Sequence, residues 1–242
     1  MRKPGLNQNA FFDYVLGLAD DALILAHRLS EWCGHAPLLE EELALANIGL
    51  DLIGQARALY DYAGAIEGKG RDQDALAYRR DAPQFCNLLL VEQPNGDFAM
   101  TIARQFLYSA YTAPFWRAMA GSDDATLAGI AAIAQHEATY HLRHAGDWLI
   151  RLGDGTEESH RRAQHALDAL WPYIGEMFEG RDASVHGEWS KTVNTVLAEA
   201  TLIRPADGWM QTGGRSGRHS EHLGYILAEL QFLQRAYPGA SW

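Results

Sequence analysis

The sequence has few cysteines and no long hydrophobic run, which limits the classes of protein it can belong to. Only Cys33 and Cys86 occur in 242 residues, and they are far apart. A disulfide framework and a cysteine-based metal site are therefore excluded. No apolar stretch approaches the roughly 18 residues of a transmembrane helix, and residues 1–14 lack the apolar core of a signal peptide. We expect a cytoplasmic protein with reduced thiols and no membrane partner.

Basic residues are also scarce relative to acidic ones. The chain has 20 Lys and Arg against 31 Asp and Glu, a formal net charge of −11. This balance argues against nucleic acid or an anionic membrane surface as a partner. A hydrophobic content of 48% is ordinary for a globular protein, and the length is sufficient for a sizeable core.

The third feature that the sequence lacks is a strand pattern, because apolar residues recur at helical spacing almost throughout. In the first predicted helix they follow one another at steps of three and four residues. Pro37 followed by Glu40, Glu41 and Glu42 is a helix start, and Asp97, Ser122 and Thr156 are predicted N-caps. We predict one all-α domain over residues 1–242. Its helices are predicted at about 7–32, 37–67, 74–80, 98–119, 123–152, 157–178, 188–202 and 219–236.

The middle of the second helix, LALANIGLDLIGQA (43–56), is apolar on nearly every face. Such a helix is normally covered on all sides. Two interpretations are open, in which either a partner protein covers the outer side, with Leu45 as an exposed contact residue, or this is the central helix of a larger core.

The stretch QHEATYHLRH (135–144) raises the question of a metal site. A zincin requires HExxH, but Tyr140 occupies the place of the second histidine, so that class is excluded. A di-iron carboxylate bundle requires a Glu on each of two helices and a Glu-x-x-His on each of two others. Glu137 is followed three residues later by Tyr140, and Asp51 is followed by Gly54. Both expected histidines are therefore missing.

The first and third long helices carry one acid and one amide, each about thirty residues before Asp51 or Glu137. Asp20 precedes Asp51 by 31 residues, and Gln105 precedes Glu137 by 32. The pattern indicates a former ligand set without a working metal site, although isolated acids on four helices can also arise by chance. If Asp20, Asp51 and Glu137 are buried, their charge needs replacement partners. The candidates are His27, Arg57, Arg104, His141 and His144.

Several strings together resemble one known family. They are LSEWCGHAP (29–37), LALANIGLDLIGQAR (43–57), QFCNLLLVEQPNGDFA (84–99), TIARQF (101–106), EATYHLR (137–143) and TGGRSGRHSEHLG (212–224). They closely resemble the C subunits of bacterial phenylacetyl-CoA epoxidases, the ring-epoxidising oxygenases of phenylacetate degradation. The resemblance extends from about residue 13 to the C-terminus.

The resemblance implies a ferritin-like four-helix bundle with additional C-terminal helices. It also implies a structural subunit with no catalytic residue, metal or cofactor of its own, belonging to an NADPH-dependent monooxygenase complex. The di-iron centre is expected in a partner A subunit, and small B and reductase subunits complete the complex. The metal-site positions Asp20, Asp51, Gly54, Gln105, Glu137 and Tyr140 are then vestigial.

Two further alternatives remain at this stage. The chain could be an active di-iron oxygenase with an atypical site, or a free-standing helical interaction protein. The loop Gln84, Phe85, Cys86 and Asn87 has two interpretations as well. The resemblance suggests an acyl-CoA contact, whereas its apolar continuation LLLV favours a buried turn.

Overall fold

The computed structural model describes residues 7–180 and 183–240 and is helical. No β-strand occurs within these ranges, and the all-α prediction is confirmed. Short 3₁₀ turns at 82–84, 171–173, 175–178 and 214–216 connect the longer elements. The α-helices described are α1 (Gln8–Ser30), α2 (Leu39–Glu67), α3 (Gln73–Tyr78), α4 (Phe98–Met119), α5 (Ala125–Gly153), α6 (Glu157–Leu170), α7 (Ala183–Glu199), α8 (Glu221–Leu230) and α9 (Phe232–Ala236).

The chain divides into two compact units. We call the first, with residues 7–93 and 213–240, the α1–α2 unit. We call the second, with residues 94–180 and 183–212, the α4–α5 unit. In the described part of the chain, no helix combines the length and hydropathy needed to cross a membrane.

The α1–α2 unit is built on an antiparallel helical hairpin. The side chain of Asn7 caps α1 by accepting a hydrogen bond from the Ala10 N–H at 2.8 Å. Gln8 at the start of α1 donates to the Ile66 carbonyl at the end of α2, at 2.6 Å. Gly68, with φ of 69°, ends α2 in the left-handed conformation that favours glycine. The apolar side chains of Val15, Leu18, Ala22, Leu25 and Leu29 are buried, as their spacing predicts, and every residue of α1 from 15 to 26 is buried as well.

Helix α2 is less uniformly covered than its composition suggests. Leu45 is fully buried, so its prediction as an exposed contact residue is wrong. Exposed apolar side chains lie elsewhere on the helix, at Leu43 (57% exposed), Leu50 (64%) and Ile53 (38%). These three side chains mark the face of α2 that the rest of the chain leaves uncovered.

The α4–α5 unit contains a helix that is buried on all sides over most of its length. Every residue of α4 from 101 to 116 is buried, although its apolar pattern did not mark it as the central helix. Phe98 at the start of α4 packs edge-to-face on Trp148 near the end of α5, with ring centroids 5.1 Å apart. The start of α4 thus lies beside the end of α5, and the two helices form a second antiparallel hairpin. The indole of Trp189 on α7 donates to the Leu107 carbonyl at 3.1 Å.

Several predicted helix ends require correction. The N-cap of α5 is Asp124 rather than Ser122, because the Asp124 carboxylate accepts from the Leu127 N–H. Thr156 caps α6 as predicted, within a capping box. Helix α6 ends at 170 instead of about 178, where Pro172 enters a 3₁₀ turn. The predicted helix at 188–202 is α7 at 183–199, and the last predicted helix is split into α8 and α9.

Candidate functional site

The predicted metal-site positions of the α1–α2 unit differ in burial. Asp20 on α1 is fully buried, Asp51 on α2 is half-buried, and Gly54 on α2 is exposed. No atom lies within 4 Å of the position that a Cβ at Gly54 would occupy, other than those of its own local helix. Of the two acids, therefore, only Asp20 is a fully buried charge.

The positions on the α4–α5 unit show a similar contrast. Gln105 on α4 is fully buried and donates through Nε2 to the Ser109 hydroxyl at 3.1 Å. Its Oε1 is buried with no hydrogen-bond partner among the described residues. On α5, Glu137 is half-buried and Tyr140 is 42% exposed. The expectation of buried carboxylates thus holds for Asp20 but not for Asp51 or Glu137, because both lie at the edges of the buried faces of their helices.

Asp20 is neutralised by a residue that the sequence did not indicate. Arg80 donates to both carboxylate oxygens, with Nη1 at 3.0 Å from Oδ2 and Nη2 bonded to Oδ1. The Tyr60 hydroxyl donates to Oδ1 at 2.6 Å, and the Cys86 N–H donates to Oδ2 at 2.8 Å. Two charge-assisted hydrogen bonds from Arg80 and two from neutral donors therefore satisfy the Asp20 carboxylate, and the guanidinium provides its counter-charge. Arg80, rather than His27 or Arg57 on the same unit, supplies it.

Arg80 is itself held in place by the chain around it. It donates to the Leu76 carbonyl at 2.5 Å and to the Gln84 carbonyl at 2.8 Å. Its guanidinium lies over the Phe85 ring, 4.1 Å from the centroid.

Burial and the nearby Asp20 charge raise the pKa of Tyr60 well above its usual 10. Burial, with Asp20 as a second cause, raises the pKa of the Cys86 thiol to about 11. Both groups are protonated at neutral pH, so Cys86 is not an activated nucleophile.

Asp21, the next residue on α1, forms a second buried ion pair. Arg215 donates through Nη2 to Oδ2 at 2.6 Å and through Nη1 to Oδ1 at 3.1 Å. The Leu88 N–H also donates to Asp21. Arg215 further donates to the carbonyls of Gly17 and Cys86, each at 2.8 Å. A Cβ at Gly17 would lie 2.8 Å from Arg215 Nη1, so the glycine makes room for this arginine.

Glu92 is a further buried acid of this unit. Its carboxylate accepts from the Ser220 N–H at 2.6 Å and from Asn87 Nδ2 at 2.9 Å. His219 Nδ1 lies 2.8 Å from Glu92 Oε2. Arg28 on α1 donates to the Glu92 carbonyl through Nε and Nη2. Asp20, Asp21, Glu92, Arg80, Arg215 and His219 are hereafter the charged cluster. It connects α1 to residues 80–92 and 213–220.

The loop at 84–87 belongs to this cluster. Gln84 is exposed, and its side chain closes the capping box of the 82–84 turn with Asp81. Phe85 and Asn87 are fully buried, and Cys86 is half-buried. These contacts match the buried turn that the LLLV continuation favours. The acyl-CoA contact at this loop remains a prediction.

The side chains at the six metal-site positions do not fit a pair of irons. Both oxygens of Asp20 are engaged by a permanently charged guanidinium. Gly54 has no side chain, Tyr140 stands where an imidazole is needed, and Gln105 offers a neutral amide instead of a bridging carboxylate.

Comparison with known proteins identifies the class. A model of the phenylacetic acid catabolic protein family matches residues 2–242, and the chain belongs to that family. The helical fold of the family is ferritin-like, as the resemblance implied.

A curated relative within this class is the C subunit of the 1,2-phenylacetyl-CoA epoxidase of Escherichia coli strain K12. The chain is 46% identical to it over 248 residues, covering 97% of this chain and all of the relative. The resemblance seen in the sequence is thus confirmed.

Proposed function

We propose that this chain is a non-catalytic structural subunit of a phenylacetyl-CoA epoxidase. It pairs with and stabilises the di-iron A subunit, and small B and reductase subunits complete the complex. The observation that carries this proposal is the Asp20–Arg80 pair. Asp20 stands at a position where a di-iron bundle enzyme binds iron, but here its carboxylate is paired with the buried Arg80. The role of Asp20 in this chain is therefore to hold the fold together.

The two alternative functions are less well supported. An active oxygenase with an atypical site would need Asp20 to exchange Arg80 for a metal, which would leave a guanidinium buried without its anion. A free-standing helical interaction protein is disfavoured by the 46% identity along nearly the whole chain to an epoxidase subunit.

The exposed apolar face of α2 supports a partner on the α1–α2 unit. Leu39, Leu43, Leu50 and Ile53 follow one another at helical spacing, and all are exposed. Ile53 also borders a recess of about 250 Å³ lined by Leu23, Ala56, Arg57, Tyr60, Gln73, Asp74, Ala77 and Tyr78. An apolar stripe beside a recess of this size suits an anchor side chain from a partner. Stable obligate contacts of this kind usually bury more than about 2,000 Å².

Charge substitutions on this face test the pairing. Leu43→Glu and Leu50→Glu place a carboxylate where the partner would bury a leucine, without disturbing the buried face. Leu233→Glu on α9 is the matched control, because Leu233 is 47% exposed and lies off this helix. We expect the two α2 variants to fold normally but to lose co-purification with a co-expressed A subunit, while the control retains it. Retention of the A subunit by both α2 variants would place the interface elsewhere.

A further inference from the structure

His219 is a buried histidine with a hydrogen-bond acceptor at each ring nitrogen. Its side chain is 4% exposed. Nδ1 lies 2.8 Å from Glu92 Oε2, and Nε2 lies 2.9 Å from the Phe85 carbonyl oxygen. A carboxylate and a carbonyl both accept hydrogen bonds. A neutral imidazole carries one N–H and can satisfy only one of these acceptors, whereas the imidazolium satisfies both.

The charges around the ring favour the same protonation state. His219 faces Glu92 directly, and Asp20 on α1 also acts on it electrostatically. In the charged cluster, three carboxylates face two arginines, which leaves one negative charge if His219 is neutral. Arg28 does not balance this charge, because its guanidinium is paired with Glu31 at 2.8 Å. Protonation of His219 makes the cluster electroneutral, the favourable condition for buried charges.

We propose that His219 is held as an imidazolium and acts as a proton-dependent latch that fastens residues 213–220 and α8 to the turn at 85–92. The imidazolium makes two cross-links, the ion pair with Glu92 and the bond to Phe85, and its second N–H is what allows both to form at once. Ser220, next to it, adds a backbone hydrogen bond to the same carboxylate. Loss of the proton breaks one of the two ring contacts and returns a negative charge to the cluster. The C-terminal segment of the α1–α2 unit is then released more easily. This inference is independent of the proposed function.

The expected titration follows from the opposing effects on His219. Burial disfavours the imidazolium, but the hydrogen bonds to Glu92 and Phe85 outweigh it, and the pKa of His219 is raised above its ordinary 6.5. A group whose pKa is higher in the folded than in the unfolded state stabilises the fold fully below the unfolded pKa. That stabilisation is lost as the pH rises through the folded pKa. The latch therefore weakens on the alkaline side.

Nitrogen NMR on the full chain, labelled with ¹⁵N-histidine, tests the protonation state directly. The resonances of His219 are assigned by their absence from His219→Gln. We expect both ring nitrogens to carry protons in most molecules at pH 6 to 6.5, with a titration midpoint above 6.5. An unprotonated nitrogen in this pH range, or a midpoint at or below 6.5, would overturn the proposal.

Hydrogen exchange tests the latch itself. Amide protection in residues 213–230 is measured between pH 7 and pH 9.5 and corrected for the intrinsic exchange rate. We expect protection there to fall by up to about tenfold per pH unit above the His219 pKa, as one linked proton requires. His219→Gln should have lower protection that no longer depends on pH. His222→Gln, three residues further on, should behave like the unaltered chain. A pH-dependent loss that persists in His219→Gln would contradict the latch.

Discussion

Replacing Arg80 with methionine tests whether the charged cluster holds the fold together. The side chains of Arg80 and Asp20 are 3% and 0% exposed, so their pair belongs to the buried class. Breaking a buried pair by removing one partner usually costs about 3–5 kcal/mol, because the other charge stays buried. Asp20 would keep its bonds from Tyr60 and Cys86, so we expect a loss near the lower end, about 3 kcal/mol. That is a large part of the roughly 5–15 kcal/mol of a typical domain.

The free energy of unfolding is measured by urea titration for Arg80→Met and for Arg79→Met. Arg79 is the adjacent residue and is exposed, so its replacement should change stability by no more than about 0.5 kcal/mol. In Arg80→Met the buried Asp20 carboxylate would have no cation, and an uncompensated buried charge is costly. The deficit should therefore be smaller at an acidic pH at which this carboxyl is neutral. Adding Asp20→Asn should recover much of the loss at neutral pH.

Equal stabilities of the two arginine variants would refute the reasoning. A deficit in Arg80→Met that does not change with pH and is not relieved by Asp20→Asn would attribute the loss to packing over the Phe85 ring instead of to unpaired charge.

Three other outcomes are expected. Gly17→Ala should lower the free energy of unfolding by about 1–3 kcal/mol, because its Cβ would meet the anchored Arg215. Gly54→Ala, in open space on α2, should raise the free energy of unfolding by up to about 1 kcal/mol. Both changes are measured by urea titration. Glu137→Ala should leave phenylacetyl-CoA epoxidation, normalised to the iron of the A subunit, near normal in the assembled complex. A drop of about a hundredfold or more with assembly intact would make Glu137 a catalytic residue.

The helices could be predicted from local patterns, because helix formation depends on spacing and caps within a few residues. Asp97 and Thr156 act as caps as predicted, and the apolar steps of α1 form its buried face. The helix ends at 170 and 230 were harder to predict, since the 3₁₀ turn at 171–173 and the turn at Gln231 interrupt a helical pattern without changing its apolar spacing.

Which helix is buried, and what neutralises Asp20, could not be predicted. Helices α2 and α4 are both apolar on several faces, and only tertiary packing decides that α4 is covered all round. Arg80 and Arg215 lie outside the α-helices, 60 and 194 residues from the acids that they bind. No local period connects such partners. The strings 84–99 and 212–224, which resemble the family, nevertheless contain much of the charged cluster. The family-like strings here are therefore segments that form buried cross-links.

Iron analysis of the separately purified chain tests the non-catalytic assignment most directly. The chain is loaded anaerobically with Fe(II), freed of loosely bound metal, and its iron content is measured against protein concentration. With Asp20 held by Arg80 and no imidazole at Gly54 or Tyr140, we predict iron well below stoichiometric amounts. Retention of about two irons per chain, the content of a di-iron bundle, would contradict the assignment and make this chain a candidate oxygenase in its own right.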